Sequence, residues 1–192
     1  ALSVDGRPAD CVRLAIKELL DGPPDLVLSG INAGANVGVN IFYSGTVAAA
    51  AEAAMLGFPA VAFSAAAPAG GSLRDEDFAK AGKICRAVMG ELISIPLVGG
   101  DLINVNIPLL TEESPKGLRV VPQSTAEVED VYNLQEGGAN RRYRLAQEFK
   151  FAPGETETDV TDLAAGYITV TPLHFDMTEH NRLGELQKRN WS

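Results

Sequence analysis

Apolar positions in the first two thirds of the chain alternate between two rhythms. Over residues 10–21, DCVRLAIKELLD, Cys11, Ala15 and Leu19 repeat every four residues with Val12 and Ile16 beside them, which predicts a helix. Asp10 is placed to cap its start, and Gly22, Pro23 and Pro24 stop it. DLVLSG, residues 25–30, follows without polar alternation, as in a short strand covered on both faces. Thr46 to Leu56 reads as a second helix ended by Gly57, and its alanines let it lie close against a sheet. PAVAFS, residues 59–64, is the next buried strand, so the order is strand, helix, strand with a right-handed crossover. Beyond the small-residue connection AAAPAGGS, Phe78, Ala81, Cys85, Val88 and Leu92 mark a third helix. LINVNIP (residues 102–108) and LRVVP (residues 118–122) are further strands. This alternation predicts an α/β fold around a mostly parallel sheet, with residues 1–121 as its core.

The rhythm changes after Val121. Val128, Asp130, Tyr132 and Leu134 alternate, as do Tyr143, Leu145, Gln147, Phe149 and Phe151, with QEGGAN between the two runs. That pattern predicts a long antiparallel hairpin outside the main repeat. Residues 122–157 are therefore expected to form an arm whose apolar side packs on another subunit. Residues 158–192 return to the core. Asp159 to Ala165 is a short helical turn, GYITVTPL (residues 166–173) a strand, and residues 178–190 an amphipathic tail helix.

Charge and cysteine usage narrow the function classes. The net charge of −9 and pI of about 4.7 oppose binding to duplex nucleic acid or an anionic membrane, both of which need a basic footprint. No apolar run approaches the ~18 residues of a spanning helix. Cys11 and Cys85 both fall on predicted apolar helix faces, which makes them buried free thiols and fits a reducing cytoplasm. No internal repeat is visible.

The chemistry concentrates in SGINAGANVGVNIFYSGT, residues 29–46, between the first strand and the second helix. Ligands of open α/β sheets bind beyond the carboxyl ends of the strands, where Ser29 through Asn40 are expected. Glycines allow close backbone approach. Asparagine amides offer oxygens to a hard cation and N–H groups to a phosphate. Ser44, Gly45 and Thr46 stand where a helix begins, and free N–H groups there favour an anion. The residues thus describe a phosphate or phosphate-plus-metal pocket. A plain glycine-rich loop with Ser44 as an ordinary N-cap explains the pattern about equally well at this level. The spacing of Gly30, Gly34 and Gly38 matches neither dinucleotide nor P-loop fingerprints.

Other polar residues carry less. His174 and His180 are the only histidines and read as structural or surface groups, with a contact to Asp176 open if that segment is helical. Thr158, Asp159 and Asp162 read as helix caps, since they lack the remaining ligands of a calcium loop. Arg141, Arg142 and Arg144 form a small basic, solvated patch on the hairpin.

SGINAGANVG followed by YSGTVAAAAEA and LGFPAVAFS closely resembles the SurE family of metal-dependent nucleotidases. GRPADCV (residues 6–12) is similar to the family's G-T-P-x-D-C-V, with Arg7 in place of threonine. LINVNIP matches the strand before the family's arm. TDVTDLAAGYITVTPLHFDMT (residues 158–178) resembles the family's closing segment. The resemblance implies a Rossmann-like three-layer α/β/α fold with a hairpin extension. It implies hydrolysis of nucleoside monophosphates at the 5′ or 3′ phosphate by a homodimer or homotetramer. It further implies a divalent metal, Mg²⁺ or Mn²⁺, held by two adjacent aspartates, a serine and an asparagine, the last being Asn32 here. Asn36 with Ser44, Gly45 and Thr46 would hold the phosphate oxygens.

The family's aspartates lie in an N-D-D-G loop and its serine in a second loop, and neither segment occurs in these residues. No Asp-Asp pair exists in the sequence. Aligned through Gly6 and Asn32, the chain starts after both loops, and the first strand–helix–strand part of the sheet would be absent. The expectation is that these 192 residues alone are inactive as a phosphatase. A non-catalytic phosphate- or nucleotide-binding module is the alternative, and a purely structural subunit a third reading.

Overall fold

The structure is a computed structural model that describes residues 1–68, 71–136, 141–150 and 156–191. Helix α1 (Pro8–Leu14) continues through a wider π turn (Ala15–Leu19). It starts earlier than the apolar spacing predicts, because Pro8 at the first helical position has its φ already set for a helix. Asp10 is therefore not the N-cap. It sits on the third helical residue, and its Oδ2 accepts the Arg7 backbone N–H at 2.9 Å.

Five strands form the main sheet in the order β1 (Val27–Ala33), β2 (Ala60–Ala65), β3 (Leu102–Ile107), β7 (Ile168–Leu173), β4 (Leu118–Val120). β1, β2 and β3 run parallel, β7 runs against β3, and β4 runs with β7. Three of the four pairings are thus parallel, an α/β sheet with a reversed margin. β1 differs from expectation: among the described residues it pairs only with β2, and Leu28 is exposed, so the strand is not covered on both faces. It also extends through Ala33, so Ser29 to Ala33 are strand residues and the connecting loop begins at Gly34.

Helices close both faces. α3 (Asp75–Leu92) turns Ala81, Cys85, Val88 and Leu92 onto Val61, Phe63, Val105, Ile107, Ile168 and Val170. Val61, Val105 and Ile107 are completely buried, each stabilising the fold by about 1.5–3 kcal/mol. Burial pushes the Cys85 thiol up to about 11, the mark of a dry environment. On the other face, α2 (Gly45–Met55) packs Val47, Ala50, Ala53 and Ala54 against Ala60, Ala62 and Leu102. Alanine there lets helix and sheet approach closely. α1 lies on α2, held by Arg13 and the buried Glu52 at 2.7 Å.

Among the described residues β5 (Glu127–Glu136) and β6 (Arg142–Lys150) pair only with each other, antiparallel, as the alternation predicts. Tyr132, Leu134 and Tyr143 on this ribbon are more than half exposed. The expected turn residues 137–140 and Phe151 lie outside the described residues. α4 (Asp159–Ala164), capped by Thr158, precedes β7, and α5 (His180–Gln187) ends the fold with no buried residue. Among the described residues, no helix is long and apolar enough to cross a membrane.

Candidate functional site

The sheet face under α2 changes character along the strands. At the amino ends of β2 and β3 it shows Ala60, Ala62 and Leu102. At their carboxyl ends it shows Ser64, Asn104 and Asn106, with Thr169 and Thr171 beside them on β7. Side chains alternate across a strand, so these polar residues share one face while Val61, Phe63, Val105 and Ile107 fill the other. All five polar residues are buried.

Asn32 joins this face through an irregularity. Ser29 pairs with Ala62, and Asn32 pairs with Ser64, so two residues of β1, Gly30 and Ile31, stand opposite Phe63 alone. This bulge shifts the strand by one residue. Without it Ile31 would lie beside Ser64 and Asn32 would turn toward α3. Ile31 instead packs on the α3 core. Gly30 has φ +121°, and a Cβ there would sit 2.3 Å from the Phe63 carbonyl oxygen, so only glycine fits. The Asn32 Nδ2 donates to the Gly34 carbonyl at 2.8 Å. That bond fixes the amide orientation and leaves Oδ1 as the accepting atom.

Asn36 is the centre of the buried network. Its N–H donates to Asn106 Oδ1 at 2.8 Å, and its Nδ2 donates to Ser64 Oγ at 2.7 Å. Its carbonyl accepts from Asn104 Nδ2 at 2.8 Å and Asn106 Nδ2 at 3.0 Å. Asn32 and Asn36 thus meet at Ser64, one as its strand neighbour and one as its hydrogen-bond donor.

A 3-10 turn (Gly38–Tyr43) leads from there to α2. Ser44 caps α2, its Oγ accepting the Val47 N–H at 3.1 Å, while its hydroxyl hydrogen remains available to donate. Helix geometry leaves the Gly45 and Thr46 N–H groups without intrahelical acceptors. Gly45 is exposed, and a Cβ on it would come within 3.2 Å of Pro8 Cγ, so glycine admits α1 beside this end of α2. Because β1 and β2 are parallel and α2 connects them, the amino end of α2 and the carboxyl end of β1 lie at one edge of the sheet. The site residues expected from sequence therefore fall into two groups at that edge, Asn32 with Asn36 and Ser44 with Gly45 and Thr46.

The remaining candidates resolve differently. Asp159 does not cap a helix: it is completely buried, its Oδ2 accepting the Gly38 N–H at 2.8 Å and its Oδ1 the Ser124 N–H at 2.7 Å. Asp162 pairs with Arg119 at 3.0 Å, and that guanidinium lies 3.7 Å over the Tyr167 ring. His180 lies 3.4 Å from Asp176, but Asp176 precedes α5 rather than sharing it. Asp176 is held below the usual carboxylate range mainly by its bond from Thr178. Arg74, which lines a cavity with Ala65 and Ala66 at the end of β2, pairs with Asp77 at 3.1 Å and Glu76 at 2.6 Å.

Ser64, Asn104 and Asn106 escaped the sequence reading as site residues. The signal was the pair of asparagines two apart in LINVNIP, unusual inside an apolar central strand.

The donor set does not fit a divalent cation by itself. Asn32 presents one neutral oxygen, and Mg²⁺ or Mn²⁺ needs several oxygens, usually including carboxylates. Among the described residues no group of three His, Cys, Asp or Glu side chains could hold a metal. What the residues do present is a rigid, neutral edge of amides, a hydroxyl and free helix N–H groups, which suits phosphate oxygens.

Comparison with known proteins agrees with the motifs. A family model described as "Survival protein SurE" matches residues 1–130. A Rhodopirellula baltica protein named "5'-nucleotidase SurE" is 42% identical over 193 residues, covering 99% of this chain and 74% of the relative. A protein of the same name from Carboxydothermus hydrogenoformans is 38% identical, covering 97% of this chain and 70% of the relative. The crystal structure of the SurE protein from Aquifex aeolicus superposes with a TM-score of 0.78 at 36% identity, covering 95% of this chain and 73% of that one.

Proposed function

Since this chain belongs to the SurE family, we propose that its site binds the phosphate of a nucleoside monophosphate for hydrolysis to nucleoside and phosphate. One observation carries the reading. The bulge at Gly30 and Ile31 directs Asn32 to the same sheet edge as Asn36 and the free N–H groups that open α2. The Gly45 and Thr46 N–H groups and the Ser44 hydroxyl would receive phosphate oxygens. Asn36 would border them, its backbone already fixed by Asn104 and Asn106.

A divalent metal, when bound, would polarise the phosphoryl group and activate a water. Asn32 Oδ1 is the one ligand these residues would supply to it. The 192 residues alone are expected to release no phosphate from a nucleoside monophosphate with Mg²⁺ or Mn²⁺, and release above a no-protein control would overturn this. In a form of the protein that includes the Asp-Asp loop, Asn32→Ala should lower kcat/KM about a hundredfold or more while leaving thermal unfolding unchanged. Unchanged turnover would remove Asn32 from the site.

The incomplete ligand set favours a second reading for these residues alone, nucleotide binding without turnover. Titration with a nucleoside monophosphate in the presence of a chelator separates the two. Binding would support the module, and binding only with metal would support the enzyme.

The exposed Tyr132, Leu134 and Tyr143 support the arm as a contact between copies, in a dimer or tetramer. A monomer that stays monomeric at all concentrations in size-exclusion chromatography would sink that assignment. Free Cys11 and Cys85 support a reducing cytoplasm as its compartment.

A further inference from the structure

We propose that Asp159, with Gln123, is a positioning clamp that sets the distance between the two halves of the phosphate site. The inference rests on the phosphate reading above. The proposed phosphate contacts flank one residue, Gly38, with Asn36 before it and Ser44 to Thr46 after it. Gly38 is buried, has φ +54° and opens the 3-10 turn, so its N–H has no acceptor within that turn. Both of its polar groups are held by side chains far away in sequence. Asp159 Oδ2 accepts its N–H at 2.8 Å, and Gln123 Nε2 donates to its carbonyl at 3.0 Å.

The clamp is itself anchored. Asp159 Oδ1 accepts the Ser124 N–H at 2.7 Å, and the Asp159 N–H donates to the Pro122 carbonyl at 3.0 Å. One completely buried carboxylate thus ties the site loop to both roots of the hairpin arm, which leaves the core after Pro122 and returns just before Asp159. Hydrogen bonds to an ionised carboxylate are stronger than neutral ones, and a buried carboxylate is costly unless so satisfied. A carboxylate at this point therefore holds Gly38 more firmly than a neutral side chain. Both residues act through the Gly38 peptide, so the role assigned to them is one of geometry.

Asp159→Asn tests the charge and one of the two bonds, because an amide can accept one N–H but must turn its own N–H₂ toward the other. Gln123→Leu tests the second arm of the clamp with little threat to folding, since Gln123 is only half-buried. Backbone hydrogen exchange and affinity for inorganic phosphate are measured for each variant and the unmodified protein. The expected result for Asp159→Asn is exchange about tenfold or more faster at Gly38 and Asn36, with β2 and β3 unchanged. Phosphate affinity should fall about tenfold. Gln123→Leu should shift both in the same direction by less. Unaltered exchange at Gly38 in Asp159→Asn would overturn the clamp. Faster exchange with unaltered phosphate affinity would overturn its positioning role. A uniform rise in exchange across the sheet would reduce Asp159 to a stability residue. If the unmodified protein binds no phosphate, the phosphate reading fails and the positioning role with it, while the exchange data still decide whether the clamp exists.

Discussion

The two faces of the central sheet are built from the same strands and differ in what they are for. On the α3 face, Val61, Phe63, Val105, Ile107, Ile168 and Val170 form one apolar cluster with the buried side of α3. On the α2 face the alternate residues of those strands end in Ser64, Asn104, Asn106, Thr169 and Thr171, with Asn36 bound over them. The apolar face can relax around a change, because dispersion contacts have no preferred direction. The polar face cannot, because each amide there is fixed by donors and acceptors at set angles. One face holds the fold, and the other fixes the orientation of the Asn36 backbone at the site edge.

Three substitutions sharpen or break this contrast. The largest loss of stability is expected from Ile107→Ala on the apolar face, about 3 kcal/mol by denaturant unfolding, because Ile107 is completely buried. Its effect should be global, with no preferential loosening of the Asn36–Gly38 segment in hydrogen exchange. Selective loosening there would mean that the faces are not independent.

Asn106→Leu on the polar face should cost less, about 2 kcal/mol. It removes two bonds to Asn36 and leaves that N–H without its acceptor. Here the exchange change should centre on Asn36, and a purely global effect would contradict the assignment of this face.

The smallest effect is expected from Thr169→Val. Its buried hydroxyl has no hydrogen-bond partner among the described residues, so an isosteric apolar side chain should change stability by less than about 0.5 kcal/mol or raise it. A loss above about 1.5 kcal/mol in the same unfolding assay would show that the hydroxyl is satisfied in solution.

The sequence made the layers legible because helix and strand periods are local. The spacing of Phe78, Ala81, Cys85, Val88 and Leu92 predicts α3, and structure and spacing agree on which of its residues are buried, with Phe78 left partly open. The residues of the candidate site were legible as types but not as contacts. Nothing in the spacing of Asn36 and Asn106 says that they bond across 70 positions. Asp159 looked like a cap because it stands at a helix start, and only the return of the chain beside Gly38 and Ser124 gives it another use. Asp10 was misread for a similar reason: a carboxylate near a helix start can serve as the cap or reach back to it, and Pro8 decided between them.

The extra residue at Gly30 and Ile31 makes the candidate site depend on parity. A strand assigns its side chains to faces by whether the count from any reference residue is odd or even, and the bulge changes that count once, just before Asn32. Pairing the same residues in regular register, without the bulge, would keep every amino acid and still exchange inside for outside. Asn32 would face the α3 core, and its neighbours would follow. A transplant of this site onto another sheet must therefore carry the irregularity along with the asparagine, because the address of Asn32 is written in the number of residues before it as much as in its identity.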